Sequence, residues 1–266
     1  MSADTTSGHT FAPGTFTPNP EPAPLRSMLA AQSGLELRLL LRNGEQLLLT
    51  MFIPITLLIV LCLFPVGAGG ETPAARAQTF LPVILAVAIM STAFTGQAIA
   101  VGFDRRYGAL KRLGATPIPR WGIIAGKSIA VLAVVALQML ILCGIAALIG
   151  WRPTVSGLGF AAIAVVLGTV AFAALGLALG GTGKAEVVLA LANLIWFVLA
   201  AIASLVVLES KVPGAARTAA KATPSGALAD ALAQAGHGAL ALGSLGVLAL
   251  WAIVGTAAAV KWFKFD

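Results

Sequence analysis

The sequence predicts an all-α integral membrane protein with six transmembrane helices, an interfacial amphipathic helix before the first and a short basic helix between the second and third. Three observations predict it. Of the 266 residues, 59% are hydrophobic and only 10% charged, with a mean hydropathy of +0.96, whereas a soluble domain is about 25% charged. The charges are clustered and leave six charge-free intervals, at 46–70, 77–103, 128–151, 153–183, 187–208 and 231–260. Each reaches the roughly 20 residues an α-helix needs to cross a bilayer. Lys and Arg also divide unevenly between the two sides of such a chain.

Residues 1–24 place Pro13, Pro18, Pro20, Pro22 and Pro24 among Thr, Ser and Gly, a composition too poor in apolar area to offset ordering entropy. They predict a disordered cytoplasmic tail without the early apolar run of a secretory signal. In segment 25–46, Leu29, Leu37, Leu40 and Leu41 fall near one helical face, with Glu36, Arg38, Arg42 and Glu45 elsewhere. This suits an amphipathic helix in the membrane interface. The remainder, 47–266, is expected to be a six-helix transmembrane domain, with spans at 47–66, 80–101, 129–149, 158–179, 187–208 and 240–260. Pro54 kinks the first span, and the GAGG run at 67–70 closes it. Cys62 and Cys143 lie inside spans and act as small apolar side chains.

Orientation follows from basic residues. One side holds Arg76, Arg152, Lys211, Arg217 and Lys221; the other 12 of the 17 lie with both termini. The positive-inside rule puts both termini in the cytoplasm of an inner or plasma membrane. The net charge of +7 is anchoring of this kind on anionic lipid, not the continuous basic face of a nucleic-acid binder, so no nucleic-acid partner is expected.

All 10 acidic residues fall outside the expected spans, His9 lies in the tail and His237 at the outer edge of the sixth span. No catalytic residue, proton relay or metal site can be built from these positions. The run Gly122-Ile-Ile-Ala-Gly126-Lys127-Ser128 is one residue short of a phosphate-binding loop, with Trp121 where its first glycine belongs. It is expected instead to open the third span, with Lys127 at the headgroups. The chain is therefore not expected to be an enzyme or to bind a cofactor.

Segment 103–127 holds six of the 17 basic residues, and 105–113 can form a short helix before the Thr116-Pro117-Ile118-Pro119 breaker. Its order, Asp-Arg-Arg-Tyr-Gly-Ala-Leu-Lys-Arg-Leu-Gly-Ala-Thr-Pro, resembles the E-R-x-x-G-T-L-x-x-L-x-x-T-P pattern of type-2 ABC exporter permeases. Arg105 or Arg106, Gly108, Leu110, Lys111, Arg112, Leu113, Thr116 and Pro117 fall in place; Asp104 stands near the usual acid and Ala109 replaces the usual Thr. The resemblance, which extends to topology over 25–266, implies that this segment is a cytoplasmic coupling helix docking on a separate ATPase subunit. It further implies two ATPases, which bind ATP and Mg, working with two permeases, the second a copy or a relative.

Gln97, Gln138 and Asn193 are the amides placed deepest in the spans. They either line a translocation path or bond to neighbouring helices. Gly176 and Gly180 form a G-x-x-x-G pair for close helix packing. Resemblance implies that the outer segment 209–236 forms short helices capping an exit. The expected function is export of an amphipathic or hydrophobic, drug-like compound. A lipid or lipid-linked glycan cargo and a non-transporting scaffold or sensor are the alternatives.

Overall fold

The computed structural model describes residues 23–65, 70–207 and 213–262. The expected tail at 1–22, most of GAGG and residues 208–212 lie outside the described residues, as do Lys211 and His9. Eleven α-helices are described: α1 (Leu25–Arg42), α2 (Gly44–Leu63), α3 (Pro73–Ile89), α4 (Gln97–Arg106), α5 (Ala109–Gly114), α6 (Arg120–Ile149), α7 (Val155–Gly180), α8 (Ala185–Val207), α9 (Gly214–Lys221), α10 (Pro224–Gly236) and α11 (Leu242–Trp262). No strand occurs among the described residues.

Five helical stretches are long and apolar enough to cross a membrane: Pro73–Arg106, Trp121–Ile149, Val155–Gly180, Ala185–Val206 and Leu242–Trp262. They correspond to the expected second to sixth spans. The expected first span is α2, whose apolar part, Thr50–Leu63, is shorter than these. The second span continues well past both expected ends, 80 and 101, because the charges that set those limits find partners at its ends. Arg76, buried near the start of α3, donates from Nε to Cys62 O at 2.8 Å and from Nη2 to Leu63 O at 3.4 Å. It thereby caps the carbonyls at the end of α2, where the helix dipole favours a cation.

α3 and α4 form one rod joined by a π-helical segment, Met90–Gly96. Small and hydroxyl-bearing residues dominate it (Ser91, Thr92, Ala93, Thr95, Gly96), and Thr92 Oγ1 donates to Gln138 Oε1 of α6 at 3.1 Å. Opposite it runs α7. A Cβ on Gly176 would lie 2.7 Å from Phe94 O, and one on Gly180 would lie 2.5 Å from Ala98 O. The G-x-x-x-G pair therefore packs inside the protomer, Gly176 against carbonyls of the π segment and Gly180 against one of α4.

The described part of the segment expected outside, 213–236, forms α9 and α10, joined at Ala222 and Thr223 with the Thr223 hydroxyl accepting from Gly226 N at 3.1 Å. α10 is packed among α3, α7, α8 and α11, with Leu228 and Leu232 in the main core. Its Asp230 is buried as well, outside the five long apolar stretches yet inside the packed bundle. Lys221 Nζ lies 2.7 Å from Asp230 Oδ1, while Gln234 Nε2 and Ser244 Oγ each donate to Oδ2 at 2.6 Å. At the same end Trp151 Nε1 donates to Gln78 Oε1 at 2.6 Å and Gln78 Nε2 to Gly236 O at 2.7 Å. Of the cysteines, Cys62 is buried and Cys143 half-buried, both as free thiols.

Gly159, also on α7, has open space where its Cβ would be. Gly180→Ile is expected to lower the melting temperature of the purified protein by about 5 °C or more, the scale of an overpacked core contact. Gly159→Ile should leave it within about 1 °C by the same measurement, because it meets nothing.

Candidate functional site

At the end of the bundle that carries α5, three charged residues from three helices meet. Lys127 of α6 is 4% exposed. Its Nζ lies 2.9 Å from both carboxylate oxygens of Glu36 in α1 and 2.7 Å from Asp104 Oδ2 in α4. Gln32, one turn before Glu36, adds a 2.9 Å bond from Nε2 to Glu36 Oε1. Lys127 does not sit among headgroups as expected, because two carboxylates from packed neighbours offer it better partners than water. Gly126 makes the approach possible, since a Cβ there would lie 2.6 Å from Gln32 Cγ. The second glycine of the run that mimics a phosphate loop is a seat for α1.

The same contacts turn α1 around. Its buried residues are the polar pair Gln32 and Glu36, while Leu25, Leu35, Leu39 and Leu41 are exposed. Leu29, Leu37 and Leu40 are half-buried. Leu41 is thus separated from the other three leucines with which it was grouped.

The expected single helix over 105–113 is two pieces. α4 ends at Arg106, Gly108 takes a φ of 72°, a left-handed conformation that glycine adopts without strain, and α5 begins at Ala109. Arg105 Nη1 donates to Gly183 O at 2.9 Å, and Arg106 pairs with Glu186. Both arginines thus tie α4 to the α7–α8 turn. Leu110 is fully buried with Val101, Ile123, Leu177 and Ala259, and Leu113 packs half-buried against that cluster. Thr116 Oγ1 donates to Leu113 O at 2.6 Å, closing the segment. Tyr107, Lys111, Arg112, Thr116 and Pro117 are exposed. The motif residues therefore divide into anchors (Arg105, Arg106, Leu110, Leu113), a hinge (Gly108) and a surface.

The three deep amides do not come together. Gln138 is 1% exposed, donating from Nε2 to Thr50 O at 2.7 Å and accepting from Thr92. Gln97, 4% exposed, lines a cavity of about 360 Å³ between the end of α1, α2, the π segment, α4 and α6. Asn193 lies on the exposed face of α8 and donates to its own Leu189 O at 2.8 Å. It shares no cavity with the other two: its carbonyl partner one turn earlier satisfies it within the helix.

The residues that sequence reasoning missed are Glu36, Lys127 and Glu186. The available signal was Gln32 and Glu36 four apart on α1, a polar pair among leucines that places two hydrogen-bonding groups on one face.

This architecture, with a basic, anchored segment between two crossings and no strand among the described residues, has a counterpart. The profile described as ABC-2 family transporter protein matches residues 70–261. The chain belongs to the ABC-2 transporter family. It is a multi-pass membrane transport subunit of a kind that works with ABC ATPase subunits and generally lacks an ATPase site of its own. A comparison with curated proteins finds no match.

Removing one partner from a buried charge cluster leaves the others uncompensated. Lys127→Met is expected to destabilise this ABC-2 subunit by about 3 kcal/mol in chemical unfolding of the purified protein. Adding Glu36→Gln and Asp104→Asn should restore at least half of the loss, because no buried charge then lacks a partner.

Proposed function

We propose that this chain is the permease of an ATP-driven exporter that moves an amphipathic or hydrophobic, drug-like compound outward across the cell membrane. α2 is the first of six crossings, which puts both termini and α5 in the cytoplasm. Two copies, or one copy and a related permease, work with two ATPase subunits that bind ATP and Mg. The observation that carries this reading is the exposed surface of Tyr107, Lys111, Arg112, Thr116 and Pro117, held on a segment anchored by Leu110 and two arginine ties. A lipid tether needs only basic charge. A surface that transmits force needs firm attachment, and α6, α7, α8 and α11 supply it.

The coupling role rests on the exposed residues and not on Leu110, which is buried in the bundle. Leu113→Asp would put a charge against the Leu110 cluster and so confound docking with folding. Lys111→Glu with Arg112→Glu is expected to weaken ATPase-subunit association about tenfold or more in a pull-down from membranes, with the melting temperature unchanged. Wild-type association by this variant would leave the segment a lipid anchor. Substrate-stimulated ATP hydrolysis by the reconstituted complex separates an exporter from a scaffold.

For topology, single cysteines at Thr116 and Gly214, in a background lacking Cys62 and Cys143, test the orientation. Thr116→Cys is expected to label only from the cytoplasm and Gly214→Cys only from outside. Labelling of Thr116→Cys from outside would reverse the assignment.

A further inference from the structure

An open hollow of about 360 Å³ lies where α4 ends and α8 begins. Two of the membrane-crossing stretches, Pro73–Arg106 and Ala185–Val206, have their ends there, which puts the hollow at the level of the lipid headgroups. The helix ends that border it, the C-terminus of α4 and the N-terminus of α8, carry opposite partial charges, so the side chains set its sign. Arg105, Arg106 and Lys184 line it together with one carboxylate, Glu186, a formal net charge of +2. Glu186 is already matched with Arg106, whose side chain is still half exposed. Lys184 is exposed and pairs with no described residue. From the hollow onward α8 is bare on one side: Val187, Leu191, Leu194 and Val198 recur at helical spacing and are all exposed.

We propose that this hollow binds the phosphomonoester headgroup of an anionic lipid. The phosphate oxygens accept from Lys184 and Arg106, Arg105 adds its charge, and an acyl chain lies along the exposed side of α8. A phosphomonoester carries about −1.5 to −2 charges at neutral pH, which matches the excess of positive charge; a phosphodiester carries one. Basic pockets between membrane helices suit lipid headgroups in this way, whereas a general attraction to anionic lipid needs no hollow at all. The site requires only that α4 and α8 end at a membrane surface, and it is independent of what the protein moves.

The test is native mass spectrometry of the full chain in detergent micelles, titrated with dioleoyl phosphatidic acid or dioleoyl phosphatidylglycerol. Phosphatidic acid should fill one site per chain at least about fivefold more tightly than the diester, the effect of one further charge. Lys184→Gln should weaken that site at least about fivefold, the worth of one charge-assisted hydrogen bond, with the melting temperature unchanged. Lys261→Gln removes the same charge from an exposed position on α11, at the same end of the bundle and outside the hollow, and should leave the affinity at its wild-type value. Thr182→Glu, which adds a second carboxylate to the lining, should abolish the site.

Equal losses in Lys184→Gln and Lys261→Gln would reduce the binding to general attraction by a basic surface and overturn the site, as would wild-type affinity in Lys184→Gln. Equal affinity for the two lipids would overturn the monoester. Displacement of phosphatidic acid by inorganic phosphate at equal concentration would overturn the lipid as its source. Absence of saturable lipid binding, with Lys184→Gln weakening ATPase-subunit association instead, would assign the hollow to a protein partner and sink the proposal.

Discussion

Lys127 joins three helices through charge. Its ammonium meets Glu36 of α1 and Asp104 of α4 within 2.9 Å, so α1, the end of the π-interrupted rod and the start of α6 share one point. A buried cluster of this kind contributes little net stability, because desolvation offsets most of the attraction. What it contributes is position. Leucine surfaces slide against one another at small cost; an ammonium between two carboxylates has one arrangement, and the helices must meet to supply it.

Everything at that end of the molecule hangs from this junction. α4 leads directly through Gly108 into α5, so displacement of α5 acts on Asp104 four residues before the hinge. Arg105 and Arg106 carry the same displacement to the α7–α8 turn, and Leu110 carries it to α7 and α11. Along the rod the next feature is the π segment, whose carbonyls face Gly176 and whose Thr92 is bonded to Gln138. Widened turns of this kind are rare in helices and frequent at functional sites. The cavity with Gln97 lies between this turn and the clamp.

The fold was legible where it depends on hydropathy. Charge-free intervals located five of the crossings, and Gly176 and Gly180 announced close packing. Helix ends were misjudged at three charges taken as stops, since Arg76, Asp104 and Lys127 continue the helices by finding partners inside. Only tertiary contact could reveal that. For segment 103–117, the order of residues located the element but could not divide it into anchors and surface: Leu110 and Leu113 face the bundle because Val101 and Ile123 arrive from α4 and α6. Asn193 was grouped with Gln97 and Gln138 because depth along a helix is visible in a sequence and the direction a residue faces around the bundle is not. Asp230 looked like a loop acid because α10, rich in alanine and glycine, shows its burial only when packed among four helices.

The central claim is that Lys127 makes α1, α4 and α6 one mechanical unit at the end that carries α5. The most direct measurement is the distance distribution between spin labels at Arg38 and Lys111, both exposed, by pulsed electron resonance on the full chain in nanodiscs, with and without Lys127→Met. A single narrow distance that broadens or splits when the ammonium is removed is the predicted result. The same narrow distance in both proteins would show that packing alone holds these helices together and would contradict the account.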